Sequence, residues 1–135
     1  MGLDMFAYRT HYNSFNSTKE VDFEDEVYST QDENGNSLCK EIQYWRKHPN
    51  LHGWMQNLYY EKGGVKDSFN CVTVELTLED LNHLESDIKS DALPKTTGFF
   101  FGGSDNGQRQ TDLEFVKKAK EAIFEGDRVF YDSWW

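Results

Sequence analysis

Cysteine, proline and positive charge are all scarce in this chain. Among 135 residues there are two Cys, two Pro and only 14 Lys or Arg against 24 Asp or Glu. Cys39 and Cys71 form no CxxC pair and no signal-peptide pattern opens the chain, so a reduced, cytosolic setting is the expectation. No apolar run approaches the roughly 18 to 20 residues that span a bilayer, so no membrane segment is expected. The start Met1-Gly2-Leu3-Asp4-Met5-Phe6 places Phe6 where a myristoylation signal needs Ser or Thr. The net charge of −10 repels nucleic acid and anionic membrane. It argues against direct nucleic-acid binding and permits a basic protein partner. HExxH, GxxxxGK[ST] and GxGxxG are all lacking, and no Ser-His-Asp or Cys-His order can be read from spacing.

Aromatic residues are plentiful. Ten Phe, seven Tyr and four Trp make 16% of the chain, which a disordered chain would not carry. They imply one folded domain over residues 1–135 with an aromatic-rich core.

Taken in order, Leu3 to Thr10 alternates between apolar and polar residues and predicts a first strand. An acidic loop or insertion follows at about 12–37. Residues 19 to 33 hold seven acids against one Lys, and Asn34-Gly35 predicts a turn. Cys39 to Trp45 fits either a second strand or a first helical turn. Pro49 suits a first helical position and starts a helix over about 49–62, with Leu51, Trp54, Met55, Leu58 and Tyr59 on one face. Gly63-Gly64 closes it.

Asn70 to Leu76 reads as a strand, which places Cys71 in an apolar, buried setting. Thr77 to Asp80 is a near capping box for a helix over 78–90, striped by Leu78, Leu81, Leu84 and Ile88. Thr97-Gly98-Phe99-Phe100-Phe101 predicts a buried central strand, and residues 102–107 a Gly-rich loop. Thr111 is the expected cap of a third helix over 112–125, with Leu113, Val116, Ala119 and Ile123 inward. Asp127 to Trp135 predicts a terminal strand whose two Trp pack back on the core. The fold class is therefore α+β: a two-layer domain with a four- or five-stranded sheet packed by about three helices.

Tyr44 to Met55 is the stretch that concentrates chemistry. Arg46, Lys47 and His52 surround a predicted helix start, where free N–H groups and the helix dipole favour anions. Residues 40–62 carry four Lys or Arg against two Glu, reversing the global sign. Tyr44, Trp45, Arg46, Lys47, Asn50, His52 and Trp54 are thus the candidate ligand-binding residues, for a phosphate, a nucleotide or an acidic peptide. His48 and His52 are four apart, as two metal ligands on one helix face would be, but Pro49 pushes His48 out of the helix. No metal and no cofactor are expected. His48, His52, Glu41 and Asp132 are the options for acid–base work, and none forms a readable catalytic constellation.

The start Met1 to Met5, the segment Glu41 to Trp54, the run Leu93 to Gly102 and the ending Phe130 to Trp134 together resemble a family of small uncharacterised bacteriophage and prophage proteins. The matching positions are Tyr44, Trp45, Arg46, Lys47, Asn50, His52, Trp54, Gly98, Phe99, Phe100, Gly102 and Trp134. The resemblance spans nearly the whole chain and supplies no activity. It implies an accessory protein in the host cytoplasm that sequesters or inhibits a host factor, including a defence component. The alternative is a small nucleotide- or phosphorylated-ligand-binding protein or enzyme using residues 44–54. Nucleic-acid mimicry by the acidic segment 20–33 is a third reading.

Overall fold

The alternating residues at the N-terminus build a strand in the middle of a sheet, in a computed structural model that describes residues 2–11, 20–23, 31, 33–35, 38–96 and 107–135. The described elements are β1 (Asp4–His11), β2 (Cys39–Arg46), α1 (Pro49–Glu61), β3 (Val74–Leu76), α2 (Leu78–Lys89), α3 (Gln108–Phe124) and β4 (Asp127–Trp134). The four strands lie in the order β2-β1-β4-β3 and every neighbouring pair is antiparallel. Three helices and this sheet make an α+β domain. No helix among the described residues is long and apolar enough to cross a membrane.

Met5 and Ala7 of β1 face the helices, as the alternation requires. They join Trp45, Val74, Leu76, Val129 and Tyr131 of the other strands in one core with α1, α2 and α3. From α1 the predicted face of Leu51, Trp54, Met55, Leu58 and Tyr59 is buried, and from α2 so are Leu81, Leu84 and Ile88. The capping box at α2 is formed: Asp80 N–H donates to Thr77 Oγ1 at 3.2 Å, and Thr77 N–H to Asp80 Oδ2 at 2.9 Å. Gly63 takes φ +95°, the left-handed conformation that lets the chain leave α1.

Of the two alternatives for Cys39 to Trp45 the strand is the one that forms, over Cys39–Arg46. Several expectations are corrected. β3 covers only Val74–Leu76, because Cys71 adopts φ +59° and leaves the ladder, its N–H donating to Ser133 O at 2.8 Å. Cys71 is exposed rather than buried. α3 begins at Gln108, capped by Gly107 without a side-chain bond, so Thr111 lies inside the helix. Its inward face carries Asp112, Phe115, Val116, Ala119 and Ala122, with Leu113 and Ile123 only half-buried. The terminal Trp divide: Trp135 packs edge-on against His52, with ring centroids 4.9 Å apart, while Trp134 is 51% exposed. The Phe-rich run 97–101, the loop 102–106 and most of the acidic segment 12–37 lie outside the described residues.

Gly53 is where a side chain has no room: a Cβ there would lie 1.8 Å from Thr96 Oγ1. Gly53→Ala is expected to cost about 1–3 kcal/mol in urea unfolding by overpacking. In a Thr96→Gly background the same change should turn neutral or stabilising, because helix propensity favours Ala over Gly by about 1 kcal/mol.

Candidate functional site

The corner between β2 and α1 decides where each residue of the Tyr44–Trp54 stretch points. Lys47 takes φ +54° and donates its N–H to Leu3 O at 2.8 Å, which turns the chain sharply out of the sheet. A left-handed Lys costs roughly 1–2 kcal/mol, so the surroundings must hold it there. They do so through a carboxylate in the core. Asp112 of α3 accepts from Trp45 Nε1 at 3.0 Å on one oxygen and meets His48 Nε2 at 2.7 Å on the other. Asp112 and His48 are 1% and 2% exposed. Such a buried pair is costly to form and much costlier to break on one side.

The candidate residues therefore separate. Trp45 lies 4% exposed, edge-on to Phe115. Trp54 donates its Nε1–H to Asp87 Oδ2 at 2.8 Å across the α1–α2 contact. Asn50 Oδ1 accepts the Thr96 N–H at 3.1 Å and ties the segment after α2 to the start of α1. His52 is fully buried, its Nδ1 bonded to the Tyr131 hydroxyl at 2.7 Å and its ring packed among Phe69, Tyr131 and Trp135. Burial pushes His52 down to about 4 and holds the Tyr131 hydroxyl well above its ordinary value, so the pair is neutral. Trp45, His52 and Trp54 are buried and Asn50 is half-buried, and each is bonded to a different partner rather than turned toward one concavity.

Tyr44, Arg46 and Lys47 alone of the seven are exposed. Arg46 and Lys47 converge over Gly2, whose absent Cβ would lie 3.1 Å from Arg46 Nη2 and 3.2 Å from Lys47 Cε. Tyr44 donates its hydroxyl proton to Asp4. His48 and His52 have different partners, and no group of three or more His, Cys, Asp or Glu among the described residues is arranged to hold a metal. Burial raises the Cys71 thiol, with Asp132 adding to it, and takes Cys39 up to about 11.

The strand register shows what surrounds Tyr44. Facing pairs across β2, β1 and β4 put Arg46, Asp4 and Trp134 in one row, and Tyr44, Phe6 and Asp132 in the next. The register slips after Ala7, so a third row holds Glu41, Tyr8 and Phe130, extended by Glu75 of β3. This is the sheet face turned away from the helices. Phe23 covers Phe130 edge-on at 5.2 Å, while Tyr44 is 43% exposed. Neither Asp4 nor Phe6 is marked by the sequence as part of a site, and Trp134 enters there only through the resemblance and as a Trp expected to pack on the core; β alternation opposite Met5 is the signal that points to Phe6.

A cleft of about 580 Å³ opens at the other end of the sheet, floored by Leu76, Leu78 and Ile123 and rimmed by Glu75, Glu125 and Asp127. Its charges are satisfied within the protein. Arg128 grips Glu75 through two bonds of 2.7 and 2.8 Å, and Arg9 holds Asp127 and Glu125 at 2.6 Å each.

No family model, curated protein or solved structure matches this chain.

Asp112→Ala strands a buried indole N–H and a buried His, and is expected to cost about 3–5 kcal/mol in denaturant unfolding. A second prediction concerns acid. His52 titrates near 6.5 in the unfolded chain and at about 4 when folded. Between those values the unfolded chain binds the additional proton. Stability from this group is thus complete above about pH 6.5 and is lost as pH falls toward 4, by roughly 3 kcal/mol. His52→Gln should flatten that part of the urea-midpoint profile.

Proposed function

We propose that this protein is a bacteriophage accessory protein that binds a host factor and sequesters or inhibits it in the host cytoplasm. The single observation that carries this reading is the pair of exposed aromatics on the sheet face turned away from the helices. The three described helices pack on one side of the sheet, and the opposite side presents Tyr44 and Trp134, 43% and 51% exposed, beside Phe6. Large exposed aromatics on a rigid sheet are the residues from which protein interfaces draw most of their energy. The small size, the charge of −10 and the resemblance to phage and prophage proteins support a partner of opposite charge. His48 and His52, the two histidines of the Tyr44–Met55 stretch, are engaged in the core and stand away from this face.

A second reading has its own observation. The convergence of Arg46 and Lys47 over Gly2 makes a local cationic spot that suits a small anionic ligand such as a nucleotide phosphate. A nucleotide at 100 times its dissociation constant would add roughly 2.7 kcal/mol of stability, and Arg46→Ala would abolish that shift.

The test of the main reading is capture from host lysate followed by reconstitution with the purified partner. Tyr44→Ala with Trp134→Ala should weaken binding at least tenfold and relieve any growth effect of expression, while the thermal midpoint holds. Full binding by the double variant would place the interface elsewhere.

A further inference from the structure

The covered end of this sheet face, where Phe130 and Arg128 are buried, already shows how its chemistry handles a cation. The Arg128 guanidinium lies over the Phe130 ring, 5.3 Å from its centroid, while Glu75 grips it with two hydrogen bonds. Ring and carboxylate come from facing positions, since Phe130 pairs with Glu75 across the strands. A guanidinium suits this pairing because it is flat enough to stack and forked enough to take a carboxylate bidentately.

The same combination recurs toward the exposed end of the face. Phe6 stacks on Tyr8 at 6.1 Å with planes 19° apart, and meets Tyr44 at 5.2 Å. Asp4, Glu41 and Asp132 stand in the same three rows. Against these three carboxylates, Arg46 is the one cation among the described residues of those rows at this end. The negative field is felt at the rings: burial first, then Asp132 and Glu41, pushes the Tyr8 hydroxyl up to about 12. Tyr44 and Glu41 are exposed, so a partner can reach both.

We infer that the Phe6–Tyr8–Tyr44 patch, bordered by Asp4, Glu41 and Asp132, is a receptor for an arginine side chain of a basic partner segment. The guanidinium stacks on the aromatic rings and the bordering carboxylates take its N–H donors, as Phe130 and Glu75 do for Arg128. This rests on the reading of this sheet face as a partner surface and names the chemistry that face selects.

The test uses the full-length protein and a nona-arginine peptide at 0.15 M salt, which damps the long-range pull of the net charge (about an 8 Å screening length). Tyr44→Leu removes a ring without changing charge and should weaken binding about three- to tenfold. Tyr44→Phe keeps the ring and should bind within about twofold of wild type. Glu41→Gln should weaken binding clearly more than Glu125→Gln, an equal change of charge at the far end of the sheet. Equal affinity for Tyr44→Leu and wild type, or equal losses for Glu41→Gln and Glu125→Gln, would reduce the binding to net charge and overturn the inference. Capture of a host protein that depends on Trp134 and Tyr44, with no affinity for the arginine peptide, would sink this inference and leave the partner-binding function standing.

Discussion

Asp112 is a charged residue at a core position, and the layout of the molecule depends on it. From α3 it satisfies the indole of Trp45 at the end of β2 and the imidazole of His48 just before α1. α3 is thereby fixed to the β2–α1 corner, far away in sequence, by two hydrogen bonds in a dry setting, where such bonds are strong and an unpaired member is expensive. The left-handed turn at Lys47 is sustained by the same arrangement. With Trp45 and His48 held on either side of it, Lys47 must turn the chain, and its N–H finds Leu3 O.

That anchoring divides one short stretch between two tasks. Trp45, His48, His52 and Trp54 turn inward and join the helices to the sheet. Tyr44, Arg46 and Lys47 turn outward at the far side of the sheet. β alternation makes the split unavoidable, since Tyr44 and Trp45 are neighbours in one strand and face opposite ways. The outward residues gain meaning only from the strands beside them. β1 contributes Asp4 and Phe6, and β4 contributes Asp132 and Trp134, so the proposed partner surface is assembled from both ends and the middle of the chain.

Much of the fold was legible. The stripes of α1 and α2, the capping box at Thr77, Gly63 after α1, and the first and last strands follow from periodicity and turn chemistry. Asp112 was not, because an acid next to Thr111 reads as the first turn of a helix; only its partners, Trp45 and His48, make it a core residue. The strand read over Asn70 to Leu76 forms only at its C-terminal end for a related reason: nothing in Asn70-Cys71-Val72 announces that Cys71 will take a left-handed conformation. For the site, composition marked the right segment but not its orientation. Charges and rings that look clustered in sequence point to separate environments once the β2–α1 corner forms. The far cleft was illegible altogether, since Glu75, Glu125 and Asp127 meet there only through tertiary contact.

The central claim is that Trp45 is a locked structural residue while Trp134 is surface. Hydrogen exchange of the indole N–H groups, followed by NMR, tests it directly. Trp45, bonded to Asp112 in the core, should exchange only through global unfolding, and Trp134 at close to the rate of an unfolded chain. Rapid exchange at Trp45 under conditions where the backbone of β1 stays protected would contradict the account.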